Sequence, residues 1–148
     1  MPRLFLVSIL LLSMSGAAMA ETDPASDVEA VRAAVLDYVE AIYDVEPERI
    51  ERSVHPKLAK LGWGRDGEGV YHEYPMTQEQ LVSLASRYNK DGRIPKDAPK
   101  IVEIYEVLDK TASVKLTASW GIDYMHLAKL DGKWMIMNVL WQSHPPEE

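Results

Sequence analysis

The chain has 148 residues, no cysteine and a formal net charge of −7. That excludes disulfides, thiol chemistry and cysteine metal sites, and an acidic surface offers no electrostatic footprint for nucleic acid or an anionic membrane. No run of four or more like charges suggests an interaction tail.

The first twenty residues, MPRLFLVSILLLSMSGAAMA, have the parts of a secretory signal peptide. Arg3 is a short positive region, Leu4 to Leu12 an apolar run, and Ala18-Met19-Ala20 a small-x-small cleavage site before Glu21. The apolar run is shorter than the roughly 20 residues that span a bilayer. The expectation is export, periplasmic or secreted, with cleavage after Ala20 and no membrane span in the mature protein. Residues 21–148 then form one domain, one unit more negative than the whole chain because only Arg3 is lost.

Ser26 with Glu29 reads as a capping box that opens a helix. Val28, Val31, Val35, Tyr38 and Ile42 follow at steps of three and four, one apolar stripe widened by Ala30, Ala34 and Val39. Pro47 starts a short second helix, with Ile50 and Val54 inward, and Pro56 ends it at His55. Lys57 to Arg65, a turn at Asp66-Gly67 and Val70 to Tyr74 predict a hairpin. Thr77 and Gln80 form a second capping box, and Met76 with Leu81 a hydrophobic staple, so a third helix buries Leu81, Leu84, Ala85 and Tyr88. Residues 89–99 are polar and rich in breakers, hence a loop.

The last third predicts strands. Ile101 to Leu108 turns at Asp109-Lys110 into the strict alternation of Ala112 to Trp120, and Gly121 marks a bend. Ile122 to Leu130 and Lys133 to Gln142 flank Asp131-Gly132, the clearest hairpin signal in the chain. A two-residue turn there pairs Leu130 with Lys133 and sets His126 against Met137, Met125 against Asn138 and Asp123 against Leu140. Both faces of this hairpin are largely apolar, whereas a sheet with solvent on one side shows a polar face. Helices on one side and a partner on the other would explain that, and a homodimer is expected. Helices first and an antiparallel sheet last argue an α+β fold with the helices on one face of a curved sheet.

This order of elements resembles the nuclear transport factor 2-like (cystatin-like) fold. The stretch DYMHLAKLDGKW, Asp123 to Trp134, looks like the closing hairpin of its lumazine-binding branch, and Ser53-Val54-His55-Pro56 like that branch's turn after the second helix. The resemblance spans the mature chain and implies a cone, with the sheet wrapped around the helices and a pocket at the wide end. It also implies that Trp134, Ile136 and Asn138 point toward the helices. The superfamily includes isomerases, cyclases, dehydratases and pure binding domains, so the fold leaves activity open.

Under that orientation Asp123 and Asn138 are the polar groups on an apolar wall. Asp123 is then a candidate general acid or base, as carboxyl groups are in ketosteroid isomerase on the same cone. The competing role, and the favoured one, is a rim residue after the Gly121 bend that caps backbone amides. Asn138 is expected to satisfy buried backbone groups. Trp63, Tyr71 and Trp120 are candidate aromatic walls, or core packing. Tyr124 and His126 belong to the dimer contact if their face is outward, with Trp141 and the two methionines opposite. His55 reads as a cap at the short helix's end, and as a second ligand contact. His72-Glu73 begins like a zinc-protease motif, but Met76 stands where the second histidine belongs. No metal or cofactor is expected.

Three functions compete. The first is an exported binding or accessory domain for a small apolar or aromatic molecule. The second is an isomerase- or dehydratase-like enzyme using Asp123, with Tyr71 or His55 assisting. The third is a dimeric interaction module whose pocket is filled. A Tyr-Asp or His-Asp pair converging in an open pocket would mark the enzyme, and a plug of Trp63, Trp120 and methionines the third.

Overall fold

The computed structural model describes residues 23–146; the signal-peptide expectation lies outside them. In chain order the elements are α1 (Pro24–Tyr43), α2 (Glu48–Ser53), β1 (Val54–Arg65), β2 (Tyr71–Glu73), α3 (Gln78–Ala85), β3 (Ile101–Val107), β4 (Thr111–Ala118), β5 (Gly121–Leu130) and β6 (Lys133–Ser143). The α+β order expected from the sequence holds. No helix among the described residues is long and apolar enough to cross a membrane.

Helix α1 starts one turn before the expected cap. Pro24, which needs no N–H partner, occupies the first turn, and the Asp23 side chain accepts from Ala25 N at 3.1 Å. Its inner stripe is Val31, Val35, Tyr38 and Ile42, all buried; Ala30 is exposed instead of widening it. The Thr77–Gln80 capping box is present on both sides, so α3 begins where the motif puts it.

The six strands form one sheet in the order β2-β1-β6-β5-β4-β3. It is mixed, not wholly antiparallel, because β1 runs parallel to β6. Only the hairpins and the β3-β4-β5-β6 meander were readable locally; the return of β1 beside β6 is a long-range pairing that no turn signal announces. Strand β1 begins at Val54, three residues early. Its register with β6 breaks between Val54 and Ala59, and Pro56, which lacks a ladder donor, sits inside that break. His55 is therefore a strand residue and not a helix cap, and its Nδ1 accepts from Lys57 N at 3.0 Å.

The β5–β6 hairpin holds the main correction. Leu130 pairs with Lys133 across a turn in which Asp131 and Gly132 both have positive φ, 49° and 80°. The register expected from that turn lasts only to Leu127↔Ile136. A bulge then makes His126 pair with Asn138, Met125 with Val139 and Asp123 with Trp141. The extra residue, Met137, switches the inward side of β6 from even to odd positions. Trp134 and Ile136 point inward as the resemblance implied, but Asn138 does not. Val139 is fully buried and Leu140 is 46 % exposed.

The core lies between this inner face and the helices. Met125, Leu127, Val114, Leu116, Ile136 and Val139 from the sheet meet Val31, Val35 and Val39 of α1 and Leu81 of α3. At the narrow end, Asp27 accepts from Trp134 Nε1 (2.9 Å) and Lys129 Nζ (2.7 Å), pinning α1 to the hairpin.

The bulge makes opposite demands of neighbouring residues. Val139→Asp buries a carboxylate in the core and is expected to lower stability by about 4 kcal/mol or more. Leu140→Asp should change monomer stability by about 0.5 kcal/mol or less. Urea denaturation of both variants measures the difference, and equal losses would contradict the shifted register.

Candidate functional site

At the wide end the packing is incomplete, leaving a cavity of about 80 Å³. Its walls are Tyr38 and Ile42 of α1, Leu81 and Leu84 of α3, Met76 before α3, Tyr88 after it, Trp120 between β4 and β5, and Lys60 and Trp141 from the sheet. Lys60 supplies the one charged group among these nine residues.

The register explains how Lys60 gets inside. On β1 the inward positions read Lys60, Gly62 and Gly64, and all three are buried. Gly62 pairs with Trp141 in parallel register, and a Cβ added there would stand 2.0 Å from the Trp141 indole nitrogen. The indole thus lies on bare backbone, a close approach only glycine permits. Tyr74 stacks on the same indole, ring centroids 6.3 Å apart and planes 29° apart. The Lys60 ammonium sits 5.2 Å above the Trp141 ring and 5.5 Å from the Tyr38 ring, both within cation–π range. Its Nζ donates to Tyr38 Oη at 2.8 Å.

Asp123 stands behind this wall. It is 0 % exposed, and its Oδ1 accepts from Trp120 Nε1 at 3.0 Å. The favoured expectation, a rim residue capping backbone amides, is therefore wrong: Asp123 pairs with Trp141 and sits in the regular inward alternation of β5 with Gly121, Met125 and Leu127. The Tyr38 hydroxyl interacts with the carboxyl but stops short of hydrogen-bond geometry. Asp123 Oδ2 and Trp141 Nε1 are both buried without a hydrogen-bond partner among the described residues. An acceptor and a donor so placed are costly unless something supplies the missing partners.

Burial dominates the titration of all three polar groups. Removal from water holds Lys60 down at about 8, although the Asp123 carboxylate pulls it up. Burial pushes Asp123 up, opposed by Lys60, Trp120 and Tyr38. Burial and the Asp123 charge push Tyr38 well above the usual phenol value. Between about pH 8 and 10.5 the unfolded chain binds more protons at lysine 60 than the folded one, so Lys60 makes stability rise with pH there. The stability that Asp123 contributes is complete below the ordinary carboxyl value and is lost as pH rises through its raised one.

Trp120 is boxed by Tyr38, Tyr43 and Tyr88, edge-to-face at centroid distances of 6.3, 5.6 and 6.4 Å. Of the sequence candidates, only Trp120 and Asp123 meet at this site. Trp63 and Tyr71 instead line an open groove of about 470 Å³ with Tyr124, Leu140, Gln142 and Trp141, the last of which borders both the groove and the cavity. Asn138 bridges strands: its Nδ2 donates to Ala59 O at 3.0 Å, and its Oδ1 lies 2.9 Å from His126 Nδ1. It does satisfy a backbone carbonyl, but not at the inner wall. His55 lines no part of the cavity. His72 pairs with Asp66 at 2.7 Å on the exposed β1–β2 turn. No group of three or more metal-ligating side chains occurs among the described residues. Lys60, Tyr38 and Trp141 were missed as site residues. The signal available for Lys60 was its place on a strand alternating with small residues, Lys60-Leu61-Gly62-Trp63-Gly64.

Helices packed on one face of a curved, unclosed sheet, with a cavity between them, define a cone-shaped α+β domain. Residues 26–142 match the family described as "Putative lumazine-binding", and the chain belongs to that family. No curated protein matches the chain. Similar solved structures include an NTF-2 like protein of unknown function from Silicibacter pomeroyi DSS-3, 16 % identical, TM-score 0.64, covering 83 % of this chain and 100 % of that one. A counterpart from Shewanella baltica OS155 is 14 % identical with a TM-score of 0.62 over 84 % and 99 % of the two chains. An uncharacterized protein with a cystatin-like fold from Caulobacter vibrioides is 17 % identical, TM-score 0.52, over 82 % and 92 %. At these identities the likeness is one of fold.

Asp123→Asn removes the charge that raises Lys60. The Lys60 pKa is expected to fall below about 8, read from the pH titration of its side-chain Cε resonance by NMR. An unchanged titration would show that the two groups are not coupled.

Proposed function

We propose that the protein is an exported domain that binds a small, largely apolar or aromatic molecule in the cavity between α1, α3 and the sheet. A ligand-binding domain fits the family. The observation that carries the finer reading is the placement of one buried cation, Lys60, 8 % exposed, in a wall otherwise made of aliphatic and aromatic side chains. Apolar walls with one charged group are how small-molecule sites combine affinity with orientation. An anionic substituent meeting Lys60 Nζ would offset the cost of burying the ammonium. The cavity is well below the roughly 300 Å³ of a drug-sized site, so the ligand is small or displaces Met76, an adaptable side chain.

Asp123 does not line the cavity and meets it only through Tyr38 and Trp120. That favours binding over direct proton transfer by Asp123.

Benzoate tests the reading. It is expected to quench tryptophan fluorescence, since Trp120 and Trp141 are in the wall. Lys60→Met should weaken benzoate by about tenfold to a hundredfold, the value of a charged hydrogen bond, and leave benzyl alcohol unchanged. Equal affinity of the variant for benzoate would refute the role of Lys60.

Two further parts of the proposal rest on other features. Export rests on residues 1–20, and dimerisation on the exposed apolar side chains Trp63, Tyr71, Tyr124 and Leu140 of the outer face. Protein recovered from its own host is expected to begin at Glu21 by intact mass and to sediment as a dimer that Leu140→Asp converts to monomer. An uncleaved N-terminus contradicts the first, and a wild-type monomer the second.

A further inference from the structure

We propose that Lys60 is a reactive amine that captures small aldehydes in the cavity as reversible imines. The inference rests on the cavity's admitting a small molecule, and it adds covalent chemistry to that binding. Three features of the geometry carry it. Lys60 is part of the cavity wall, and its Nζ lies 2.8 Å from the hydroxyl of Tyr38, another wall residue. Its neighbours are one hydroxyl, Tyr38 Oη at 2.8 Å, and the two ring faces of Tyr38 and Trp141. Such surroundings solvate an ammonium poorly and favour the neutral nucleophile, the arrangement by which desolvated lysines are activated. The titration of Lys60 near 8 agrees with this, with Asp123, Tyr38 and Tyr88 the other titratable groups around it. Finally, Tyr38 Oη is placed to relay protons, because it accepts from Nζ on one side and interacts with the Asp123 carboxyl on the other.

The step needs no co-reactant. The Nζ lone pair forms a C–N bond to the carbonyl carbon, and the C=O π pair moves to oxygen, which takes a proton by way of Tyr38 Oη. The second amine proton and that hydroxyl then leave as water while the C=N bond forms. Both protons of the neutral amine thus depart with the carbonyl oxygen, and hydrolysis reverses the sequence.

The probe is benzaldehyde with sodium cyanoborohydride, which reduces an imine to a stable secondary amine, at pH 8 on the full folded protein. Peptide mapping by mass spectrometry compares Lys60 with the exposed Lys57 and Lys133. Lys60 is expected to be modified at least about tenfold faster than either, although it is the buried one. Lys60→Arg keeps a cation that cannot form an imine and should lose the fast modification. Tyr38→Phe should slow the reaction at Lys60. Labelling of Lys60 no faster than Lys57, with benzoate still bound, would overturn the imine and leave the binding reading standing. Failure of both benzoate binding and labelling would overturn the two together.

Discussion

One inserted residue governs the site. Strand β6 cannot keep a constant alternation and also place Ile136 and Trp141 on the same side, because they are five residues apart. The bulge at Met137 resolves this by moving the register one step, so that Trp134 and Ile136 below it and Val139 and Trp141 above it all face the helices. Without it Trp141 would point outward, Leu140 would point inward, and the indole that covers Gly62 and flanks Lys60 would be absent from the cavity. Bulges re-aim side chains and tighten twist, and this one does both at the wide end of the cone.

The consequence passes across three strands. Trp141 stands between Asp123 on β5 and Gly62 on β1, paired to both. Two glycines on β1 leave the floor on which Trp141 and Tyr74 lie. Lys60 crosses that floor to reach Tyr38 on α1, and Asp123 reaches the same tyrosine from the other side. Helix α1 and strands β1 and β5 thus meet in one polar chain, with Trp120 clamping Asp123 in place.

Much of the fold was legible because its signals are local. Thr77–Gln80, Asp131-Gly132 and the strict alternation of Ala112 to Trp120 each act within a few residues, and the elements formed at these signals, although β4 ends at Ala118 and Trp120 falls in the turn after it. The parallel β1–β6 pairing and the bulge are different in kind. They are set by how strands far apart in sequence fit around the helices, and a hairpin register extrapolated from its turn has no means of detecting an extra residue five positions past Gly132. That one error carried Asn138 inward and Trp141 outward. Lys60 was passed over for a related reason: lysine on an edge hairpin reads as solvated, and only the tertiary pairing shows that its face is covered. Trp63 and Trp120, equal as aromatic candidates in sequence, fell on opposite sides of the sheet.

The polar chain is hard to explain as a device for stability. Burial opposes ionisation at Lys60 and Asp123 alike, and their mutual attraction offsets it only in part, since each remains displaced toward its neutral form. Trp141 Nε1 and Asp123 Oδ2 add two more groups without partners among the described residues. Hydrophobic residues of similar volume would fill the same space at lower cost. A core of this size, closed at the other end by the saturated contacts of Asp27 with Trp134 and Lys129, can carry that expense in one corner. Lys60 is the charged member of the cavity wall, and an anionic molecule bound beside it removes a penalty as well as adding a contact. The physical case for a ligand therefore rests less on the volume of the cavity than on the charge buried in its wall.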